Sequence, residues 1–188
     1  MDALMLLTAD HNRVRGLFAR FEEAKEAGDT ETMGMLCRKV FDELDVHTTI
    51  EEEIFYPAVR DASEDIAETV DEGIEEHHVV KVLMDEIRQL EVGADEWVAK
   101  MTVLIENVEH HAEEEETELF PEVRSAMADS LAALAEQLEL MKAQLGAPTL
   151  ADKIDLTTTD LEKLARKQEI PGRSKMDHDE LAATVALA

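Results

Sequence analysis

Four histidines and two glutamates fall at spacings that could hold metal ions: His11, His47, Glu51, His77, His111 and Glu115. Glu51 follows His47, and Glu115 follows His111, by four residues, the separation that puts two side chains on one face of a helix. Each pair can therefore aim an imidazole and a carboxylate at one place. A carboxylate turned toward apolar neighbours costs several kcal/mol unless a cation or hydrogen bonds offset its desolvation. Two carboxylates facing each other also repel, and one would be expected to take up a proton. A pair of divalent or trivalent cations removes both objections, because each Glu can bridge the two ions while the imidazoles complete the coordination spheres. Mixed imidazole and carboxylate ligation suits iron, manganese or zinc better than magnesium, which prefers oxygen and water, and iron is the first choice.

Helices are needed to position these groups, and apolar residues recur at helical spacing in four long stretches. The first stripe is Leu4, Leu7, His11, Val14, Phe18 and Phe21, broken at Gly28-Asp29-Thr30. The second is Leu36, Val40, Leu44, His47, Glu51, Ile54 and Ala58, with Pro57 near its end. Val70, Ile74, His77, Val80, Met84 and Ile87 form the third, closing near Gly93. Trp97, Met101, Leu104, Val108, His111, Glu115 and Leu119 form the fourth, which meets Pro121. Short connections between such helices predict an all-α, up-down-up-down four-helix bundle, whose core is a common place for metal sites. Leu131 to Leu145 is a further amphipathic stretch, read as a C-terminal helical extension. The expected organisation is a bundle over 1–146, a linker over 147–157 and a small helix-loop-helix over 158–188.

The metal-ligand pattern is repeated. His47 to Pro57 matches His111 to Pro121 at the His, at the Glu four residues on, and at the Pro. Asp10-His11 with Val14, Leu17 and Phe18 aligns with Glu76-His77 and Val80, Leu83 and Met84, so the chain reads as a duplicated helix pair. Alone, each His could be a satisfied core histidine and each Glu a solvated carboxylate; in phase on four helices they read as ligands. The bland alternative is a hydrogen-bonded core network without metal. Glu52 and Glu116 become the alternates if the helix is rotated by one residue, about 100°. His110 and His78 lie off the stripes and are expected to face solvent or, for His110, to support the ligands. Tyr56, the only tyrosine, would lie about 140° round from Glu51 on a regular helix.

With 45 acidic and 18 basic residues the formal charge is -27, which repels phosphate backbones over most of the surface. Cys37 is the only cysteine, excluding an intramolecular disulfide, a thiolate zinc cage and a cysteine-ligated iron–sulfur cluster from this chain alone. Met1 to Asp10 lacks a basic, apolar leader pattern, and no segment offers about 18 uninterrupted apolar residues. A cytoplasmic protein with no membrane partner is expected.

The early Asp-His, the two His-x-x-x-Glu runs ending in aromatic-Pro, and the Glu-His between them resemble the hemerythrin-like, HHE cation-binding family from about His11 to Pro121. The resemblance implies an oxygen- or hydroxide-bridged di-iron site, with His11, His47, His77 and His111 as terminal ligands and Glu51 and Glu115 as bridges. Oxygen-carrying members supply two His one turn apart on the third helix, where this chain has Gly73 or Lys81 beside His77. They also place an Asp where this chain has Glu116. Both departures argue against reversible oxygen transport. A missing imidazole leaves an open coordination position for a small oxidant. The expected function is reaction with peroxide, O2 or NO, first of all peroxide decomposition by a catalase- or peroxidase-like oxidoreductase; the alternative is a sensor without enzymatic turnover.

The last thirty residues resemble the small Rho-termination-factor N-terminal module, a relative of SAP-type units. Thr159 or Asp160 would cap a first helix, Pro171-Gly172 would break it, and Asp177 with Glu180 would cap a second. A nucleic-acid partner would use Arg166, Lys167, Arg173 and Lys175. From Pro148 onward, however, eight acidic residues face six basic ones, a balance of about -2 that favours a protein-binding or packing role.

Overall fold

The computed structural model describes residues 2–147, 158–167, 170–173, 176 and 181, and every regular element among them is helical. Helix α1 spans Ala3–Ala27, starting where the Asp2 carboxylate accepts the Met5 amide at 2.9 Å and ending where Gly28 turns left-handed at φ 69°. Helix α2, Thr30–Ile50, starts in the same way, with the Asp29 carboxylate accepting the Thr32 amide at 3.1 Å. After it come a wide turn over Glu51–Phe55, the short α3 over Tyr56–Val59 and a tight turn over Arg60–Ala62. Ser63 caps α4, Glu64–Arg88, through the Ile66 amide at 3.1 Å. Helix α5 covers Asp95–Glu114, and a second wide turn, Glu115–Leu119, leads into α6 over Phe120–Met127. A tight turn over Ala128–Ser130 precedes α7, Leu131–Gln144, and α8 spans Thr158–Lys167.

The two wide turns are π turns, in which the Tyr56 amide donates to the Glu51 carbonyl and the Phe120 amide to the Glu115 carbonyl, five residues back. Pro57 and Pro121 follow directly; in a regular helix each ring would press on the carbonyl four residues earlier, at Glu53 and at Thr117. Widening the turn relieves that clash and adds one residue to the circuit. Every side chain beyond it is then rotated relative to the 3.6-residue expectation. The predicted continuation to Ala58 is accordingly wrong: Ala58 is exposed, while Ile54 is half-buried against the core and Phe55, Tyr56 and Val59 are buried. Ile74, read as a core position, is also exposed, and Gly73 takes the inward place.

Two apolar clusters result. One joins Val14–Ala24 of α1, Met33–Leu44 of α2, Val80–Ile87 of α4 and Trp97–Val108 of α5. The other joins the start of α1 with Ile50, Phe55, Tyr56, Val59, Ile66, Val70, Leu119, Phe120 and Val123, and α7 closes over it with Leu131, Leu134, Ala135 and Leu138. Between them lies a buried polar layer at Asp10, His11, His47, Glu51, His77, His111 and Glu115. No helix among the described residues is long and apolar enough to cross a membrane.

In the C-terminal segment, α8 already runs from Thr158, so Thr159 and Asp160 lie within the helix and not at its cap as expected, and a turn follows at Pro171 and Gly172. Leu161, Ala165, Ile170 and Leu181 pack together, and Lys163 pairs with Glu23 of α1. The Arg173 guanidinium donates to the Ile170 carbonyl at 3.1 Å, and Arg166 is exposed. Most of the expected linker, Lys175, and the proposed cap at Asp177 and Glu180 lie outside the described residues.

Candidate metal centre

The helices bring all six sequence-derived residues into the polar layer, each at most 5% exposed. Their Nε2 and carboxylate oxygen atoms form two overlapping sets. His11 Nε2 lies 3.1 Å from His47 Nε2, and His77 Nε2 lies 3.0 Å from His111 Nε2. The carboxylates cross-link these imidazole pairs. Glu51 Oε2 stands 3.2 Å from His47 Nε2 and 3.3 Å from His77 Nε2, while Glu115 Oε2 stands 3.2 Å from His11 Nε2 and 3.8 Å from His111 Nε2. Each Glu thus touches one imidazole of each pair.

The outward nitrogens show why the Nε2 atoms converge. His11 Nδ1 lies 2.8 Å from Glu116, His77 Nδ1 3.0 Å from Glu52, and His111 Nδ1 2.7 Å from Glu76. A carboxylate on Nδ1 holds the hydrogen there and turns the Nε2 lone pair inward. Arg15 secures Glu116 at 2.8 Å, and Lys81, at the equivalent position of the repeat, secures Glu52 at 2.6 Å. Glu52 and Glu116, the alternates for the bridging role, therefore support histidines from outside the layer. Asp10 and Glu76, each directly before a histidine, reach across to the histidine of the neighbouring helix, Asp10 only to 3.8 Å from His47.

Two inward lone pairs 3.0 or 3.1 Å apart repel unless a proton or a cation lies between them. Donor atoms about 2.1 Å from a shared ion are separated by about 3.0–3.4 Å in octahedral or tetrahedral geometry, which is the spacing of these pairs apart from Glu115 and His111 at 3.8 Å. Neither oxygen of Glu51, which is fully buried, accepts a hydrogen bond, and Glu115 Oε2 lacks one as well. Buried carboxylate oxygens left in this state are costly without positive charge beside them. The donor chemistry and the orphaned oxygens are compatible with bound cations.

Protons fill the same role when cations are absent. Burial pulls the His11 imidazole down, but Glu115 and Glu116 outweigh it and carry its pKa up to about 10. His77, against the same penalty, is carried up to about 9 by Glu51 and Glu52. Burial would raise the Glu115 carboxyl, yet His111 and His11 hold it well below the carboxylate range. Contact with His77, reinforced by Lys81, holds Glu52 down at about 2. Metal binding at such a site displaces protons.

Tyr56 is the residue that spacing misplaced. The π turn swings it back over the layer, where its hydroxyl donates to Glu115 Oε1 at 2.9 Å and lies 3.5 Å from His111 Nε2. Glycine at 73 makes the room, since a Cβ there would sit 2.9 Å from the Tyr56 oxygen and 3.4 Å from His111 Cε1. The phenol thus fills the place left by a third-helix side chain one turn before His77. On the other side of the layer is a cavity of about 20 Å³, lined by Val14, Phe18, Leu44, Thr48, Val80, Val108 and the imidazoles, with Arg15 and Glu109 at its edge. It has room for one or two small atoms and few polar partners for them. His78 is exposed, and His110 is also exposed, 3.4 Å from Glu114.

A DNA nickase of Nostoc sp. (strain PCC 7120 / SAG 25.82 / UTEX 2576) is 28% identical over 125 residues, covering 65% of this chain and 34% of that protein. The chain therefore spans about a third of that relative's length. No solved structure matches at a significant level. Residues 2–123, the whole stretch that carries the polar layer, match the hemerythrin HHE cation binding domain, and the chain belongs to that family.

Proposed function

We propose that His11, His47, Glu51, His77, His111 and Glu115 hold two iron ions, in an up-down-up-down bundle over residues 1–146, and that the centre reacts with a small oxidant, hydrogen peroxide first. The observation that carries this reading is Glu51: fully buried, with neither oxygen hydrogen-bonded, and with Oε2 between imidazoles of both pairs at 3.2 and 3.3 Å. A single cation would need one such set; the cross-linked arrangement suits two ions sharing both carboxylates. Iron bound there supplies Lewis acidity and redox chemistry toward an oxidant.

The protein's own part is to place and protect. Glu116, Glu52 and Glu76 fix three imidazoles through Nδ1. The cavity walls are largely apolar, and the Tyr56 hydroxyl can give or take a proton at Glu115 Oε1. Gly73 offers no imidazole, and the Tyr56 phenol takes that place.

Metal analysis after mild purification should give about two irons per chain, with Glu51→Ala reducing it. Iron-loaded protein should release oxygen from peroxide, and His11→Ala should not. Two irons without oxygen release would leave the centre and remove the peroxide reading; no iron in the wild-type chain would remove both.

Sensing is the second reading, favoured by the pairing of Lys163 on α8 with Glu23 on α1, the helix that bears His11. It expects iron loading to alter partner binding by residues 158–188, and equal binding by loaded and iron-free protein would end it. The likeness to a nickase is not carried over as a DNA activity, because a charge of -27 opposes a phosphate backbone.

A further inference from the structure

The cavity beside the polar layer has one polar group in its wall that the layer does not use. Among the described residues lining its volume of about 20 Å³, Thr48 alone carries a hydroxyl. Thr48 is 3% exposed, and its Oγ1 is buried with no hydrogen-bond partner. A threonine hydroxyl in a helix ordinarily turns back to the carbonyl four residues earlier. Thr49 does so at Asp45, at 2.6 Å, and Thr102 at Val98, at 3.1 Å. Thr48, next to Thr49 on α2, makes no such bond to Leu44. The space beside it is the cavity.

The other polar groups of the wall belong to the layer and its supports. Arg15 donates to Glu109 at 3.0 Å and to Glu116 at 2.8 Å, and the four imidazoles turn Nε2 to the carboxylates of Glu51 and Glu115. The rest of the lining is apolar, with Val14, Leu44, Val80 and Val108 among it. A valine has nearly the shape of threonine and would complete this wall without an unpaired donor, so the hydroxyl costs stability as it stands. The repeat does not demand it either. The counterpart of Thr48, one residue after His111, is Ala112, which lines the same cavity with a methyl group. A buried donor that the fold leaves unpaired is suited to an acceptor that arrives from outside, and the volume limits that acceptor to a molecule of one or two small atoms.

We propose that Thr48 is the specificity-determining residue of this cavity: its hydroxyl donates to an oxygen of hydrogen peroxide lodged there, and disfavours apolar molecules of the same size, which leave it unpaired. This rests on the reading of the layer as a centre that reacts with a small oxidant. Selection of this kind comes from the cost of an unpaired buried group as much as from the bond itself.

The test uses the full-length chain, metal-free and iron-loaded. In the metal-free chain Thr48→Val should raise the melting temperature by about 2–4 °C, because a methyl group replaces an unpaired buried donor. In the iron-loaded chain the same substitution should raise KM for peroxide about tenfold and leave kcat nearly unchanged, the loss of one hydrogen bond made alike before and during reaction. Affinity for NO, a two-atom molecule that accepts hydrogen bonds poorly, should hold or rise when followed by absorbance. Thr48→Ser keeps the donor and should keep the wild-type KM; Thr48→Ala serves for the peroxide and NO measurements if the Val variant does not fold. A Val variant no more stable than wild type overturns the inference, since the hydroxyl then has a partner already. So does an unchanged KM for peroxide, or an equal weakening of peroxide and NO, which would make Thr48 a matter of packing. Wild-type protein that carries two irons and consumes no peroxide defeats the oxidant reading itself, and this inference falls with it.

Discussion

Tyr56 is the side chain through which single-residue changes are easiest to read, because it is the only tyrosine in the chain and its ultraviolet absorbance reports its ionisation directly. Burial, and after it the charges of Glu115 and Glu51, push its phenol well above the ordinary range. Glu115→Gln should therefore bring the phenol titration of the cation-free protein down in pH, and an unmoved titration would mean that burial alone sets it. Tyr56→Phe removes a buried hydrogen bond to a charged acceptor, expected to cost about 1.5–3 kcal/mol in urea unfolding of the cation-free chain. Gly73→Ala should act through the same contact. In a helix interior that substitution ordinarily gains about 0.5–1 kcal/mol. Here the new Cβ would stand 2.9 Å from the phenol oxygen, on a ring enclosed by its neighbours, so the sign reverses. The double variant Gly73→Ala/Tyr56→Phe should lose less than the two single losses added together; strict additivity would show that the glycine and the phenol do not interact.

The π turns are the elements that decide what faces the layer, and packing holds them more firmly than the prolines do. Pro57→Ala restores one amide, worth about 1 kcal/mol if it finds a carbonyl four residues back. Returning the segment to a regular helix would rotate Phe55, Tyr56 and Val59 out of the second apolar cluster, at about 1.5–3 kcal/mol for each. Burial of three side chains outweighs one hydrogen bond, so Pro57→Ala should keep Tyr56 buried with its ionisation still suppressed; a phenol that titrates normally in this variant would show that proline alone holds the turn. The same elements explain what was legible beforehand. His11, His47, Glu51, His77, His111 and Glu115 precede the irregular turns or open them, so a 3.6-residue period phases them correctly onto one layer. Beyond Glu51 the period fails, which put Ala58 inside and Tyr56 outside, and Pro57 six residues after Glu51 was the signal available. The ion pair of Lys142 with Asp10 was not legible at all, since it depends on how α7 lies across α1, and no spacing within one helix encodes that.

At the scale of the whole molecule, protons and cations compete for the same buried carboxylates, and this competition fixes how stability depends on pH. The His11 pKa lies at about 10 in the folded chain against an ordinary 6.5, and that of His77 at about 9. A group raised in this way contributes stability that is fully present below its unfolded value and is lost as pH rises through the folded one. The cation-free protein should therefore lose stability progressively from about pH 6.5 toward pH 10. Cation binding runs the other way, because each ion must displace protons and binds more tightly as pH rises. Ligand present at about 100 times its dissociation constant adds about 2.7 kcal/mol per site. For two sites in a chain of this size that is a rise in melting temperature of about 10 °C or more. Thermal unfolding with chelator and with saturating Co(II), at pH 6.5 and again at pH 9, should show a gap that widens with pH. Added salt provides the control: with a net charge of -27, screening of surface repulsion should raise both melting temperatures together and leave the gap nearly unchanged. A gap that closes with rising pH would mean that cations do not occupy the place of these protons, and that the layer is held by imidazolium–carboxylate pairs alone.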